Sequence, residues 1–140
     1  MARKASELKV GDTHEQVLVE DLKRTQLVQY AGASGDYNPV HSDEVFAMKV
    51  AGYPSVFAHG MLTMGMTGRM LTDYLGDGRL TRFGGRFTSQ VWPGDTLTGV
   101  LEITGLREEG GVHLVDVDVH TRNQDGGEVF TGSATGRIDP

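Results

Sequence analysis

The chain carries two kinds of hydrophobic pattern, one helical and one strand-like. From Arg24 to Ser34 apolar residues recur at helical spacing, and Gly35 stands where that helix should end. A short helix is also predicted around 43–49. From Val115 to His120 valines alternate with polar residues, which is typical of a strand with one buried face. We therefore predict helices early in the chain and strands in its C-terminal half.

Two more strands flank the Val115–His120 segment. Apolar residues recur at even spacing from Leu97 to Ile103, and another candidate strand runs from Val129 to Ile138. Glycine pairs at 110–111 and 126–127 separate these segments. Because glycine supplies the positive φ that tight turns need, both pairs indicate hairpins, and the C-terminal half is predicted to be an antiparallel meander.

The segment from His59 to Leu75 has apolar side chains around most of a helix, which is typical of a buried helix. Gly65 and Gly68 each cost this helix about 1 kcal/mol relative to alanine, so we expect a strand or a ligand to approach them closely. One buried helix followed by a four-stranded antiparallel run predicts an α+β hot-dog fold, a sheet wrapped around a central helix. We expect residues 1–140 to form a single domain of this kind.

Composition excludes several classes of function. The net charge of −6 argues against nucleic-acid binding, which needs a basic face. No stretch approaches the roughly 18 apolar residues of a membrane span, and the first residues carry charges without the apolar run of a signal peptide. With no cysteine there is no disulfide, thiolate metal ligand or cysteine nucleophile, in agreement with the cytoplasmic location that we expect.

The candidate chemistry lies in the segment Ser34–His41, where Asp36 and His41 are five residues apart. The proline after Asn38 keeps that residue out of the helical region, and Gly35 can adopt backbone angles closed to other residues. The segment is therefore predicted to be a structured bend. Such a bend can aim both side chains into one cavity, where each alters the other's proton affinity. The alternative is a helix-ending turn with a capping aspartate and an incidental histidine.

Two other groups of residues carry weaker signals. Asp116, Asp118 and His120 alternate along one strand and could ligate a metal, although alternation alone favours a solvated face. Several arginines fall close together in the sequence and could meet an anionic ligand, although a solvated rim is the simpler interpretation of any one of them. These arginines are Arg69, Arg79, Arg82 and Arg86.

The stretch from Tyr30 to His41, Tyr-Ala-Gly-Ala-Ser-Gly-Asp-Tyr-Asn-Pro-Val-His, resembles the signature of the MaoC-like (R)-specific enoyl-CoA hydratases, also called hydratase 2. Three further elements match in the same order: Ala58–Met61, Arg86-Phe87 and Pro93–Leu97. Within the family, the resemblance extends to the catalytic subunit of the (3R)-hydroxyacyl-carrier-protein dehydratases of type II fatty-acid synthesis. It covers nearly the whole chain.

The resemblance implies a hydro-lyase of fatty-acid metabolism that adds water reversibly to a trans-2-enoyl thioester and yields the (3R)-hydroxyacyl thioester. It implies Asp36 and His41 as the catalytic pair and the backbone N–H of Gly60 as the oxyanion donor. Asn38 is expected to support the bend through its amide. The acyl carrier is coenzyme A or acyl carrier protein, and water is the only co-reactant, so we expect no cofactor and no metal.

The sequence departs from the family pattern at several positions. Lys23 stands where a serine or threonine often caps the first helix, so that cap must come from elsewhere. Gly68 occupies the place of a serine found in some relatives, and Gln90 and Trp92 precede the Pro-Gly-Asp turn and alter the rim of the acyl tunnel. His59 is expected to be a structural hydrogen-bonding residue and not a third catalyst.

Three functions remain open: the hydratase or dehydratase, a hot-dog acyl-thioesterase, and a non-enzymatic subunit of a heterodimer. The intact Asp36/His41 bend favours the first, and which of the two residues is acid and which is base stays open. Because an exposed sheet edge invites pairing with another chain, we expect a two-fold homodimer. A heterodimer with a related hot-dog subunit is the alternative. The family resemblance implies that the pocket lies where the two units meet.

Overall fold

The structure is a computed structural model that describes residues 2–140. These residues form three α-helices, namely α1 Arg24–Ser34, α2 Glu44–Lys49 and α3 Gly60–Leu75. They also form five strands, namely β1 Thr13–Val19, β2 Leu80–Phe87, β3 Leu97–Glu109, β4 Val112–Arg122 and β5 Glu128–Ile138. Short 3-10 turns lie at Ala5–Glu7 and Pro39–His41.

The five strands form one sheet in the order β1-β3-β4-β5-β2, and every neighbouring pair is antiparallel. Gly110, Gly111 and Gly126 adopt positive φ at the two hairpin turns, as their sequence pattern predicts. The α3 helix packs against the sheet through a buried cluster that includes Met70, Leu71 and Leu75. The predicted α+β hot-dog fold is thus confirmed.

The sequence pattern missed one strand. β1 opens with Thr13, His14 and Glu15 and pairs antiparallel with β3 over most of its length. Its side chains alternate between exposed and half-buried, and none of them is fully buried. Backbone pairing with the long β3 strand therefore stabilises β1 more than an apolar face does, and this leaves little trace in the sequence.

The α3 helix is less enclosed than its sequence pattern suggests. Thr63, Thr67 and Met70 are buried, whereas Met61 and Gly65 are exposed. A Cβ added to Gly68 would lie 3.3 Å from the ring of Phe83, but one added to Gly65 would meet nothing within 4 Å. The expectation of close approach is therefore correct for Gly68 and wrong for Gly65, because the sheet covers only one side of the helix.

A second apolar cluster connects the first two helices to one end of the sheet and to the chain just before α3. Its buried members are Leu22, Leu27, Ala47, Val56, Ala58, Val91, Leu97 and Val129. Burying one such leucine side chain contributes about 2 kcal/mol. The cluster therefore holds the segments before and after the Ser34–His41 bend at a defined place on the sheet.

Local hydrogen bonds complete this region. Gln26 accepts from the Lys23 N–H at 3.0 Å through its side-chain oxygen, which supplies the cap that Lys23 cannot. In the Pro-Gly-Asp turn the buried Asp95 carboxylate accepts from the Trp92 N–H and from Gln124, both at 2.9 Å. Within residues 2–140, none of the helices combines the length and the hydrophobicity that crossing a bilayer requires.

Candidate active site

The bend after α1 is built from a glycine and two side-chain caps. Gly35 has φ of 75° and donates its N–H to Ala31, which closes the helix. Asp36 then accepts from the Asn38 N–H through Oδ1, and Asn38 accepts from the Val40 N–H in the same way, both at 3.2 Å. The second oxygen of Asp36, Oδ2, is left to face His41.

His41 leaves the bend buried, with 8% of its surface exposed. Its Nδ1 lies 2.6 Å from the carbonyl oxygen of Phe57. Because a carbonyl only accepts, we assign the proton of the neutral ring to Nδ1, which leaves a lone pair on Nε2. That Nε2 lies 4.0 Å from Asp36 Oδ2, and the Asp36 side chain is 53% exposed.

The spacing between the two groups suits a shared water. A separation of 4.0 Å is too long for a direct hydrogen bond. A water oxygen placed about 2.8 Å from each atom fits beside the line joining them. Asp36 Oδ2 and His41 Nε2 both accept, so such a water can direct one hydrogen at each of them.

Burial lowers the pKa of His41 below its ordinary value, because the charged ring loses solvation. The hydrogen bond to the Phe57 carbonyl opposes this and raises the pKa, the neighbouring His59 lowers it, and Asp36 raises it. The net direction is downward. His41 is therefore neutral at pH 7, with Nε2 available as an acceptor.

His59 forms a structural hydrogen bond, in agreement with the expectation from the sequence, although its partner could not be predicted. It is buried between His41 and Tyr30. The centroid of its ring lies 3.8 Å from that of the His41 ring and 4.8 Å from that of the Tyr30 ring. Its Nε2 donates to the backbone carbonyl of Asp36 at 3.0 Å. The only signal in the sequence was its position directly before Gly60, and the contact to Asp36 spans 23 residues.

Gly60 is the first residue of α3, so its N–H lacks an intrahelical acceptor and lies at the positive end of the helix dipole. Beside it is a cavity of about 310 Å³, lined among others by Phe57, Thr63, Phe87 and Gln90. Neither Asp36 nor His41 lines this cavity. Phe57 contacts His41 and His59 contacts Asp36, whereas Phe57 and Gly60 also line the cavity. The segment from Phe57 to Gly60 therefore lies between these two side chains and the cavity.

Asp36, His41 and His59 are also the one group of three potential metal-ligating side chains found in residues 2–140. The rings of the two histidines are nearly parallel, with an angle of 25° between their planes. A ligating imidazole holds its ion in the ring plane at about 2.0–2.1 Å. Two nearly parallel rings cannot aim their lone pairs at one such point, so this arrangement does not fit a metal held by both histidines.

The other candidates from the sequence lie on the opposite face of the sheet. Asp116 bonds Arg107 at 2.8 Å and Thr135 at 2.7 Å, and the Arg107 hydrogen bond lowers its pKa. Asp118 and His120 line a separate cleft of about 730 Å³ that shares no residue with the cavity beside Gly60. This cleft mixes charges of both signs, which is typical of a solvated face.

The four arginines do not converge on one site. Arg69 pairs with Asp73 at 3.8 Å and Arg79 with Asp139 at 2.8 Å. Arg82 and Arg86 line the same cleft as Asp118 and His120, and Arg82 donates there to the hydroxyl of Ser133. An anion site formed by all four together is therefore not present in residues 2–140.

Comparison with known proteins places this chain in a family. The family described as MaoC like domain matches residues 6–124. A 3-hydroxyacyl-thioester dehydratase Y from Mycobacterium tuberculosis is 39% identical over 93 residues, covering 64% of this chain and 32% of that protein. A mitochondrial 3-hydroxyacyl-[acyl-carrier-protein] dehydratase from Arabidopsis thaliana is 32% identical over 132 residues, covering 91% of this chain and 76% of that protein.

Solved structures agree with the sequence matches. An (R)-hydratase from A. caviae involved in PHA biosynthesis superposes with a TM-score of 0.84 at 27% identity, covering 96% of this chain and 99% of that one. The chain spans 23–32% of the length of three of the curated relatives that it matches. The family match covers most of the chain, and the fold agrees with it. This chain therefore belongs to the MaoC-like domain family.

Proposed function

We propose that this chain catalyses the reversible hydration of trans-2-enoyl thioesters to (3R)-hydroxyacyl thioesters, and the reverse dehydration. The observation that carries the proposal is the pair of acceptors, Asp36 Oδ2 and His41 Nε2, facing each other at 4.0 Å. His59, directly before Gly60, contacts both residues. The names of the mycobacterial and plant relatives, both dehydratases of hydroxyacyl thioesters, support the same chemistry.

Asp36 and His41 together can account for both parts of the water that is added, the hydroxyl group and the proton. A water between Asp36 and His41 adds its hydroxyl to the β-carbon of the enoyl group. The proton that the water releases passes to the pair and is delivered to the α-carbon, so that one complete water is added. Positioned acid–base groups of this kind contribute typically 10²–10⁴-fold. Negative charge that develops on the thioester oxygen would be stabilised by the Gly60 N–H.

A hydration assay tests the proposal directly. Purified protein is mixed with crotonyl-CoA and a longer enoyl-CoA, and with the same acyl chains on a carrier protein. The loss of the conjugated enoyl thioester is followed, and the product is analysed on a chiral column. We expect (3R)-hydroxyacyl thioester and no free thiol. The (3S) isomer would contradict the proposal, and release of free thiol would assign the chain to the thioesterases.

The acid limb of the pH profile should lie below the ordinary range for histidine. As the pH falls through the lowered pKa of His41, Nε2 takes up a proton and ceases to accept from water, so activity is lost on the acidic side. We expect kcat/KM to be level through pH 7 and to fall only below about pH 6.5. Measuring kcat/KM from about pH 5 to about pH 8, with circular dichroism as the control for folding, checks this. A midpoint above neutrality would contradict it.

Gly60→Ala should impair the reaction more than the fold. The added methyl group would lie 3.0 Å from the Phe87 ring, which is 50% exposed and can move. The same methyl group would stand beside the N–H that a thioester oxygen must approach. We expect kcat/KM to fall about 10²-fold, since a displacement of about 1 Å can have that effect.

The matched control for this variant is Gly65→Ala, on the same helix but facing open space. It should keep wild-type kcat/KM. If Gly60→Ala kept it as well, the thioester would not bind at the start of α3.

We further propose that two chains pair through β2 in a homodimer. Within residues 2–140 the β2 strand is hydrogen-bonded only to β5, and so it is a free edge of the sheet. Phe87 at its end and Met61 on α3 are large apolar residues, each at least half exposed, on either side of Gly60. Pairing at this edge would cover them and complete a wall around the thioester.

Light scattering coupled to gel filtration tests this assembly. We expect twice the mass of one chain, with activity that falls on dilution as the dimer dissociates. An active monomer at assay concentration would overturn the proposal. An inactive dimer that gains activity with a second hot-dog protein would favour the heterodimer.

A further inference from the structure

His59 has no part in the proposed chemistry, yet it is the most enclosed of the titratable side chains around the bend, with 2% of its surface exposed. Because its Nε2 donates to the Asp36 carbonyl, the neutral ring has its lone pair on Nδ1. That Nδ1 is the one buried side-chain nitrogen or oxygen without a hydrogen-bond partner in residues 2–140. A buried polar atom left without a partner typically costs about 1–3 kcal/mol. A residue used only for packing would not require this, since an apolar ring would fill the space better.

We infer that His59 is a positioning residue for the Asp36–His41 pair, holding Asp36 by its backbone carbonyl and His41 by ring stacking. The inference rests on the proposed function. The two contacts act on different members of the pair. The hydrogen bond from His59 Nε2 to the Asp36 carbonyl is 3.0 Å long, and the nearly parallel rings of His59 and His41 have centroids 3.8 Å apart. On its other side the His59 ring meets Tyr30 of α1 edge-on, which limits its rotation.

His59 belongs to a short segment that contacts both Asp36 and His41 and also begins α3. Within four consecutive residues, the Phe57 carbonyl accepts from His41, His59 holds Asp36, and Gly60 begins α3. Asp36 therefore depends on His59 for its distance to the start of α3. If the His59 contact is lost, Asp36 can move with the exposed bend while His41 stays bonded to Phe57. The 4.0 Å separation between the two acceptors would then no longer be maintained.

Two substitutions separate the hydrogen bond from the ring. His59→Phe keeps an aromatic ring against His41 but removes the donor to Asp36. His59→Gln keeps an N–H at similar reach but removes the ring. His120→Gln, on the outer face of the sheet, is the control for a histidine substitution away from the site.

For His59→Phe, activity should fall while stability changes little. The variant removes the unpartnered Nδ1, which favours folding, but it also removes the hydrogen bond to the Asp36 carbonyl, which opposes it, so the melting temperature should stay close to that of the wild type. Because Asp36 loses its support, we expect kcat on crotonyl-CoA to fall about 10- to 100-fold, with KM changed less than about twofold. His59→Gln should recover most of that loss, and His120→Gln should match the wild type.

A second readout does not depend on activity. The titratable groups that contact the two stacked rings in residues 2–140 are Asp36 and Tyr30, in addition to the histidines themselves. Since His59 lowers the pKa of His41, that pKa should rise in both His59→Phe and His59→Gln. Ring signals of isotopically labelled histidine, followed by NMR against pH, measure this directly, and His120→Gln should leave the His41 titration unchanged.

Three results would each overturn the inference. The first is wild-type kcat in His59→Phe, and the second is a loss of kcat explained entirely by a loss of folded protein. The third is a His41 titration that does not move. If the wild-type protein hydrates no enoyl thioester, the proposed function fails. The NMR titration then still decides whether His59 controls the state of His41.

Discussion

Replacing Asp36 or His41 should reduce kcat for enoyl-thioester hydration by at least about 10²-fold while the protein remains folded. The two acceptors face each other across 4.0 Å, and neither alone can direct both hydrogens of a water. Asp36→Asn is the sharper of the possible substitutions. It keeps an oxygen for the Asn38 N–H, and therefore the bend, but it removes the charge of the carboxylate. His41→Gln is the corresponding change at the ring.

Because the two groups act on one water, their effects should not add. The double variant should be only slightly less active than either single variant, as expected for residues that work as a unit. Asp118→Asn and His120→Gln on the outer face make the same chemical changes away from the site and should retain full activity. Steady-state kinetics on crotonyl-CoA, with thermal melting of each variant, provide the measurement. More than about a tenth of wild-type kcat in either single variant would rule out the pair.

Gly132→Ala should destabilise the protein by about 3 kcal/mol or more, or prevent folding. Gly132 of β5 is paired with Gly85 of β2, and a Cβ on Gly132 would lie 2.2 Å from the backbone carbonyl oxygen of Gly84. A backbone oxygen in a paired strand cannot move aside as a flexible side chain can. The pair of glycines thus allows β2 to lie close against β5 and brings Phe87 to the start of α3.

Urea or thermal unfolding measures this effect. A loss of about 3 kcal/mol lowers the melting temperature of a domain of this size by about 10 °C. The control, Gly65→Ala, is the same substitution in open space on a helix. It should raise stability by up to about 1 kcal/mol, since alanine is the better helix former. If Gly132→Ala had the melting temperature of the wild type, the pairing register of β2 and β5 would have to differ from the one described, in which Gly85 lies opposite Gly132.

The elements that could be predicted from sequence are those whose signal is local. The α1 helix ends at Gly35 because that residue takes a positive φ, and β4 is recognisable because one face is buried and the other is not. Asp36 and His41 were identified through the glycine and proline that force the chain to bend between them. β1 was missed because its stability comes from pairing with β3, a strand about 80 residues further along the chain.

Local patterns in the sequence indicated Asp36 and His41 as candidates for the chemistry and predicted most of the helices and strands, since turn residues and hydrophobic periodicity act over a few positions. How these two side chains are arranged depends on the tertiary structure. The contacts of His41 with Phe57 and of Asp36 with His59 join residues 16 and 23 positions apart. They form because the apolar cluster around Leu27 and Ala58 packs the bend against the start of α3. Such packing depends on shape and distance in three dimensions, which no local pattern in the sequence records.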